Sequence, residues 1–264
     1  MTIALLTLAA GVLGLFLGAI LNAKILRSEE SMEFTSERKC GLCAVSLSHS
    51  EMLPIVGYLA MKGRCKKCKS VVPWQYPATE LAIGILFALF AARALLHVEL
   101  PDFVTANETG VLFLRDAIMI LALSLVFMFD FRASVIPDRV TIPTIIIAII
   151  MNLWLGMDPV MMLLGGLIIG GFFAVQYLLS NGRWVGGGDV RMGLLMGFLL
   201  GPVLGVVGLF LSYVFGALIG IFLLTVKKRE LDSHVPFGTF LALATFVCML
   251  YGERLLNWYM SMFS

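Results

Sequence analysis

Charge is what this sequence has least of. Only 14% of its 264 residues are Asp, Glu, Lys or Arg, while 60% are hydrophobic. A soluble domain carries roughly 25% charged and 45–50% apolar residues. The deficit excludes an ordinary soluble domain, a disordered chain and a collagen-like fibre, and it leaves lipid as the solvent for much of the surface. A net charge of +2 is too small for a nucleic-acid binder, so no nucleic-acid partner is expected. Histidine is nearly missing: His49, His97 and His234 form no H-E-x-x-H motif. There is no G-x-S-x-G nucleophile turn. The glycine run Gly186-Gly187-Gly188 is followed by Asp189, where a phosphate loop needs Lys and then Ser or Thr. Five cysteines are too few for a disulfide framework.

What the chain does have is long apolar runs. A membrane span needs about 20 mostly apolar residues, and eight candidates are read at 3–21, 79–96, 111–129, 140–155, 159–179, 190–201, 203–226 and 236–251. The sixth is short, and it either tilts or merges with the seventh around Gly201-Pro202. The first has no charged flank and no clear cleavage site, so it is read as a retained helix. The expected fold is an all-α polytopic membrane protein of about eight transmembrane helices, with a small cytoplasmic domain after the first. That organisation divides as 1–21 (first helix), 22–78 (cytoplasmic domain) and 79–264 (membrane core). All 19 basic residues except Arg93, Arg115 and Arg254 fall in the loops 22–78, 130–139, 180–191 and 227–234. Basic loops stay in the cytoplasm, so these loops are cytoplasmic and both termini face out. The three remaining arginines lie near the other side. Asp138 reads as an N-cap for the fourth span. Gly11, Gly14 and Gly18, and the pairs Gly165/Gly166 and Gly170/Gly171, read as helix-contact faces, and Cys248 as a packing residue.

Cys40-x-x-Cys43 and Cys65-x-x-Cys68 are two C-x-x-C pairs. Each spacing lets two thiolates from one tight turn reach a single ion, and four thiolates complete a tetrahedral zinc shell. A reducing cytoplasm keeps such thiols available. A shell closed by four thiolates leaves no open position, so the metal is expected to be structural and to hold a domain too small to fold on its own core. The competing readings are unliganded thiols or two disulfides.

Ionisable residues at membrane depth are costly and point to function. Asp130 stands at the cytoplasmic end of the third span, and Asp189 at the cytoplasmic start of the sixth, after Gly186 and Gly188. The topology puts both on one side at similar depth. Paired carboxylates share one proton, and such a pair lets one member act as base on a water and the other as acid toward the leaving amine. The glycines let the backbone approach a substrate strand. The alternative is that each aspartate pairs with a local cation, Arg132 or Arg191. Glu80, at the start of the second span, reads equally as a carboxylate satisfied by that helix's N-terminus or as a functional group.

These residues together resemble a known family, the type IV prepilin peptidases, which are leader peptidases of type IV pilins and type II secretion pseudopilins. The run from Gly14 through Gly18 and Asn22 to Arg27 resembles the family's opening helix. The cysteine tetrad stands where the family places its zinc-binding domain. Leu53-Pro54-Ile55-Val56 and Gly63-Arg64-Cys65 resemble the stretch between the cysteine pairs. Tyr76-Pro77 followed by Glu80 resembles the approach to the second span. Asp130 with Ile136-Pro137-Asp138, and Gly186-x-Gly188-Asp189, match the two aspartate motifs. Val235-Pro236-Phe237-Gly238 resembles the approach to the last span.

The resemblance implies an intramembrane aspartyl protease of the G-x-G-D kind, with Asp130 and Asp189 catalytic and Gly186, Gly188, Arg191 and Glu80 in support. It implies structural zinc on Cys40, Cys43, Cys65 and Cys68. The implied substrates are type IV prepilins or pseudopilins, cut after a glycine at the cytoplasmic face of the inner membrane, with lipid as the other partner. It further implies methylation of the new N-terminal amine by S-adenosylmethionine, for which the sequence shows no binding motif. Arg191 stands where the family usually has Lys, and Ala19 where Ser is common. Two other classes fit intramembrane aspartates: a transporter, which would place them nearer the midplane and show a repeat, and a non-enzymatic assembly component docking partners through its zinc domain.

Overall fold

A computed structural model describes residues 2–25, 43, 53–98, 100–225 and 236–263. Among them the chain is helical, and the one extended pairing is a bridge between Arg64 and Val71. The helices are α1 (Thr2–Ile25), α2 (Val56–Ala60), α3 (Gln75–Leu96), α4 (Thr109–Ala133, preceded by a 3-10 turn at Ala106–Glu108), α5 (Asp138–Trp154), α6 (Pro159–Ser180), α7 (Gly187–Thr225) and α8 (Phe237–Met260). Lipid offers the backbone no hydrogen-bond partner, which is why apolar sequence of this length closes its bonds within helices. Six of the described helices are long and apolar enough to cross a membrane, and the protein is a multi-pass membrane protein. α5, with 17 residues and Pro143 inside it, is not one of the six. The chain divides into two compact units, Met1–Leu96 and His97–Ser264.

In the first unit α1 packs on α3 through glycine. A Cβ on Gly14 would lie 2.8 Å from the Cβ of Phe87, and one on Gly18 would lie 3.0 Å from the Cα of Glu80. The backbones approach this closely because the side chains are missing, which is how helices associate where water supplies no driving force. In the second unit α6 and α7 meet the same way. Gly165 faces the backbone of Gly197 and Gly201, Gly166 faces Phe198, and Gly170 faces Leu194. Gly171 has nothing within 4 Å of a built Cβ, so of the expected Gly170/Gly171 pair only the first belongs to the contact.

The sixth and seventh expected segments are the two arms of α7. At 39 residues a straight helix would reach about 58 Å. Gly201 instead takes φ 75° and ψ −177°. A Cβ on Gly205 would lie 3.8 Å from the Cα of Gly197, and one on Gly208 would lie 3.2 Å from the Met196 sulfur. Residues eight apart in a straight helix are separated by about 12 Å. The chain therefore reverses at Gly201-Pro202, and arms 187–200 and 202–225 run back to back.

The reversal costs hydrogen bonds, and a buried polar cluster replaces them. Pro202 has no N–H, so the Phe198 carbonyl loses its helical donor. Asn152 Nδ2 donates to the Phe198 and Leu199 carbonyls at 2.9 and 3.1 Å. Arg115 Nη1 donates to Asn152 Oδ1 at 2.7 Å, and Arg115 Nε and Nη2 donate to Asp116 Oδ1 at 3.0 and 2.7 Å. Arg115 is thus buried inside the second unit with its charge paired, and its solvent exposure is only 3%.

Candidate active site

Asp130 lies in the last turn of α4. Ser134 closes that helix in the left-handed region, φ 51°, and donates its N–H to the Asp130 carbonyl at 2.8 Å. The carboxylate points at the start of α8. Its Oδ2 accepts the Thr239 N–H at 2.6 Å and the Thr239 hydroxyl at 3.0 Å. The first N–H groups of a helix have no partner within it, and together they favour an anion. α8 can close on Asp130 because residue 238 is glycine: a Cβ there would lie 2.6 Å from Ile136 Cδ1 and 3.0 Å from Asp130 Cγ. Asp130 and Thr239 are each only 4% exposed.

Asp189 lies in the first turn of α7. Its Oδ2 accepts the Gly186 N–H at 3.1 Å, and its own N–H donates to the Gly186 carbonyl at 3.1 Å. A Cβ on Gly188 would lie 2.8 Å from the Cβ of Ile136. Ile136 therefore touches both Gly188, beside Asp189, and Gly238, beside Asp130, and the two carboxylates are within electrostatic reach of each other. Both carboxylates receive their described hydrogen bonds on Oδ2. Tyr213 also interacts with Asp189, and its ring packs on Phe237 with centroids 4.9 Å apart.

One alternative about neighbouring charges does not hold, and one expectation is corrected. Arg191 forms its ion pair with Asp138 of α5 rather than with Asp189. Asp138 is not the cap of α5: Pro137 occupies that position, with extended backbone and no side-chain cap, and Asp138 is the first helical residue. Its carboxylate still sits where a helix N-terminus favours negative charge, but it is held by Arg191 from across the α5–α7 contact.

Glu80 belongs to the first unit and is not held by the start of its own helix. Its Oε2 accepts the Ile55 N–H at 2.7 Å and its Oε1 accepts from Asn22 Nδ2 at 3.4 Å. Asn22 Nδ2 also donates to the Tyr76 carbonyl at 2.9 Å. Ile55 has φ 58°, a conformation that L side chains rarely adopt. Glu80 thus ties the end of α1 and the strained turn before α2 to α3.

Cys40 lies outside the described residues. The other three cysteines of the tetrad converge, with the sulfurs of Cys43, Cys65 and Cys68 all within 4.8 Å of one another. The Cys43 and Cys65 sulfurs are 3.9 Å apart. A disulfide needs about 2.05 Å, whereas a tetrahedral site with Zn–S near 2.3 Å sets sulfurs about 3.8 Å apart. The turn that brings Cys65 and Cys68 together is fixed by Cys65 N–H to the Ser70 carbonyl and Lys69 N–H to the Cys65 carbonyl, both 2.9 Å. Hydrogen bonds from the Ser70 side chain and backbone hold the Cys68 thiol below its usual value, toward the thiolate a metal needs. The donor set fits a soft divalent ion. S-adenosylmethionine does not fit the described groove of the first unit. The large groove of the first unit, about 770 Å³ between α1 and α3, is walled by side chains such as Leu8, Leu15, Leu81 and Ile85. Such walls give a sulfonium charge and an adenine no partner, and the groove does not fit that group.

The site residues that the sequence reading missed are Ile136 as the wedge between the aspartate motifs, Thr239 and Tyr213. The Val-Pro-Phe-Gly run just before Thr239 was the available signal for the second.

Two family profiles match this chain. Residues 12–94 match the Bacterial Peptidase A24 N-terminal domain, and residues 117–221 match the Type IV leader peptidase family. A protein of Pseudomonas putida named prepilin leader peptidase/N-methyltransferase is 27% identical over 93% of this chain and 91% of its own length. A protein of the same name from Bacillus subtilis (strain 168) is 28% identical over 95% of this chain and 96% of its own. A Legionella pneumophila protein of that name is 27% identical over 83% of this chain and 74% of its own. No solved structure matches. The two profiles follow one another along the chain in the order of the cysteine and aspartate motifs, and the chain is an enzyme that belongs to the type IV leader peptidase family.

Proposed function

We propose that the chain is a membrane-embedded aspartyl endopeptidase that removes the leader of type IV prepilins or pseudopilins. The cut falls after a glycine at the cytoplasmic face of the inner membrane, and Asp130 and Asp189 carry the chemistry. The observation that carries this reading is the convergence of the two aspartate motifs on Ile136, which touches Gly188 beside Asp189 and Gly238 beside Asp130. The leader stays in the cytoplasm while the apolar segment of the substrate enters lipid. A helical amide is shielded from attack, so the bond is presented as an unwound strand beside Gly186 and Gly188. One carboxylate takes a proton from a water held between the two Oδ1 atoms, and the water attacks the carbonyl. The other gives a proton to the departing nitrogen. The pair titrates as a unit. Arg191, engaged with Asp138, tethers the start of α7 to α5 and so steadies Asp189.

Segment 22–78 is the cytoplasmic domain, with 79–264 as the protease core after the first helix. Cys40, Cys43, Cys65 and Cys68 hold a structural zinc there, which supplies folding energy and no catalytic step. The name that these relatives share supports N-methylation of the new amine as a second activity of this chain.

The test is cleavage by purified protein in detergent. A synthetic peptide carrying a basic leader, a glycine and an apolar helix is followed by mass, with and without S-adenosylmethionine. The expected result is loss of the leader and, with the donor, the gain of one methyl group. Asp130→Asn and Asp189→Asn should each lower turnover by a factor on the order of 10³ or more while the protein remains folded. Substantial cleavage by either variant would sink the mechanism.

A further inference from the structure

We infer that Thr239 is a positioning residue for the reaction: it pins one oxygen of Asp130 and thereby selects the other as the oxygen that meets the water. The inference rests on the protease reading above and extends it to a residue outside both aspartate motifs.

The geometry is one-sided. Backbone N–H and side-chain hydroxyl of Thr239 both reach the same atom, Asp130 Oδ2, at 2.6 and 3.0 Å. Two donors at an angle to each other fix the carboxyl group in rotation, whereas one would leave it a pivot. Both partners are nearly inaccessible to solvent, at 4% exposure each, and a hydrogen bond to a charged group is worth most where it is buried. The contact depends on Gly238, since any Cβ on that residue would lie 3.0 Å from Asp130 Oδ2. Other groups around the carboxylate do not duplicate it. α7 contributes Asp189, whose hydrogen bond goes to Gly186, and Arg191, which pairs with Asp138 of α5. Ile136 is apolar. In the described first turn of α8, Phe237 and Gly238 bring no polar side chain. The hydroxyl of Thr239 is therefore the side-chain donor that sets the angle of Asp130 toward Asp189.

The experiment compares Thr239→Val, which removes the hydroxyl and keeps the shape and the N–H, with Thr239→Ser, which keeps the hydroxyl and removes the methyl group. Steady-state cleavage of the same leader–glycine–helix peptide is measured for both and for the unmodified protein, with thermal stability in detergent as the folding control. Thr239→Val should lower kcat about tenfold or more, the effect of one hydrogen bond to a charged group, with KM unchanged. Thr239→Ser should recover most of the turnover. Full turnover by Thr239→Val would overturn the inference. So would equal loss in both variants, which would assign the effect to methyl packing, or a rise in KM at constant kcat, which would assign it to substrate binding. An unmodified protein that does not cleave would overturn the protease reading itself, whereas cleavage by it with an indifferent Thr239→Val would overturn this inference alone.

Discussion

A single hydrogen at position 238 decides how near α8 comes to Asp130. Gly238→Ala would set a methyl group 2.6 Å from Ile136 Cδ1, the end of a side chain that can turn away, and 3.0 Å from Asp130 Cγ, so the carboxylate must give by a few tenths of an ångström. A displacement of about 1 Å in a reacting group can cost about 100-fold in rate, so a shift of a few tenths of an ångström should cost less, and cleavage kinetics of Gly238→Ala should show a loss of about tenfold or under. Gly110→Ala is the contrast. Nothing lies within 4 Å of its built Cβ, so it should leave turnover unchanged and leave thermal stability equal or up to about 1 kcal/mol higher. At this scale the sequence was most legible where charge was rarest. Asp130 and Asp189 stood out because carboxylates are few in so apolar a chain. Thr239 did not, because a threonine in the first turn of a helix is ordinary, and its partner is in another helix far along the chain. The partner of Arg191 was not legible for the same reason: spacing offered Asp189 only as an alternative, while packing of α5 against α7 supplied Asp138.

Helices in this protein are held at glycine faces and at a few polar clasps. Gly197→Ala would place a Cβ 2.7 Å from the Gly166 backbone nitrogen, an atom that cannot rotate away, and should lower the melting temperature of the detergent-solubilised protein clearly. Gly171→Ala, on the same α6 but facing open space, should not. Asn152→Leu would strip the donor from the Phe198 and Leu199 carbonyls and the acceptor from Arg115. Leaving buried groups unpaired costs roughly 1–3 kcal/mol each, so this variant should be destabilised by a few kcal/mol in a denaturation experiment. A wild-type midpoint would mean that water or rearranged backbone takes over the clasp. The glycine stripes on α1 and α6 were visible as sequence patterns, and so was a break near Gly201-Pro202. That Asn152 and Arg115 clasp the break was not visible, because nothing in their spacing ties them to residue 198.

For the whole molecule the expected outcome is two units that fail separately. Purified protein should carry about one zinc per chain, and Cys65→Ser should lose it. The loss should melt the first unit early, because structural zinc supplies folding energy directly, while the transition of the second unit is retained. Metal analysis and calorimetry check both. A Cys65→Ser protein with undiminished zinc, or with an unchanged first transition, would remove the structural role. The class of the molecule was legible from composition alone, since 60% hydrophobic residues left no soluble alternative. The spans were legible as apolar runs, and the reversal within α7 required the dihedral angles of one glycine.

That reversal also bears on the surrounding lipid. The arm 187–200 rises only about 21 Å before the chain turns back, against a hydrocarbon slab about 30 Å thick. α8, with 24 residues, rises about 36 Å. Helices of such unequal reach cannot all match one slab, and a bilayer meets a short segment by thinning around it. The thinned ring would lie along the arm that begins at Asp189, so the depth at which a substrate helix presents its bond to that residue follows the thickness of the bilayer. Turnover should therefore fall as the acyl chains of a reconstituted bilayer are lengthened, with no residue of the protein changed.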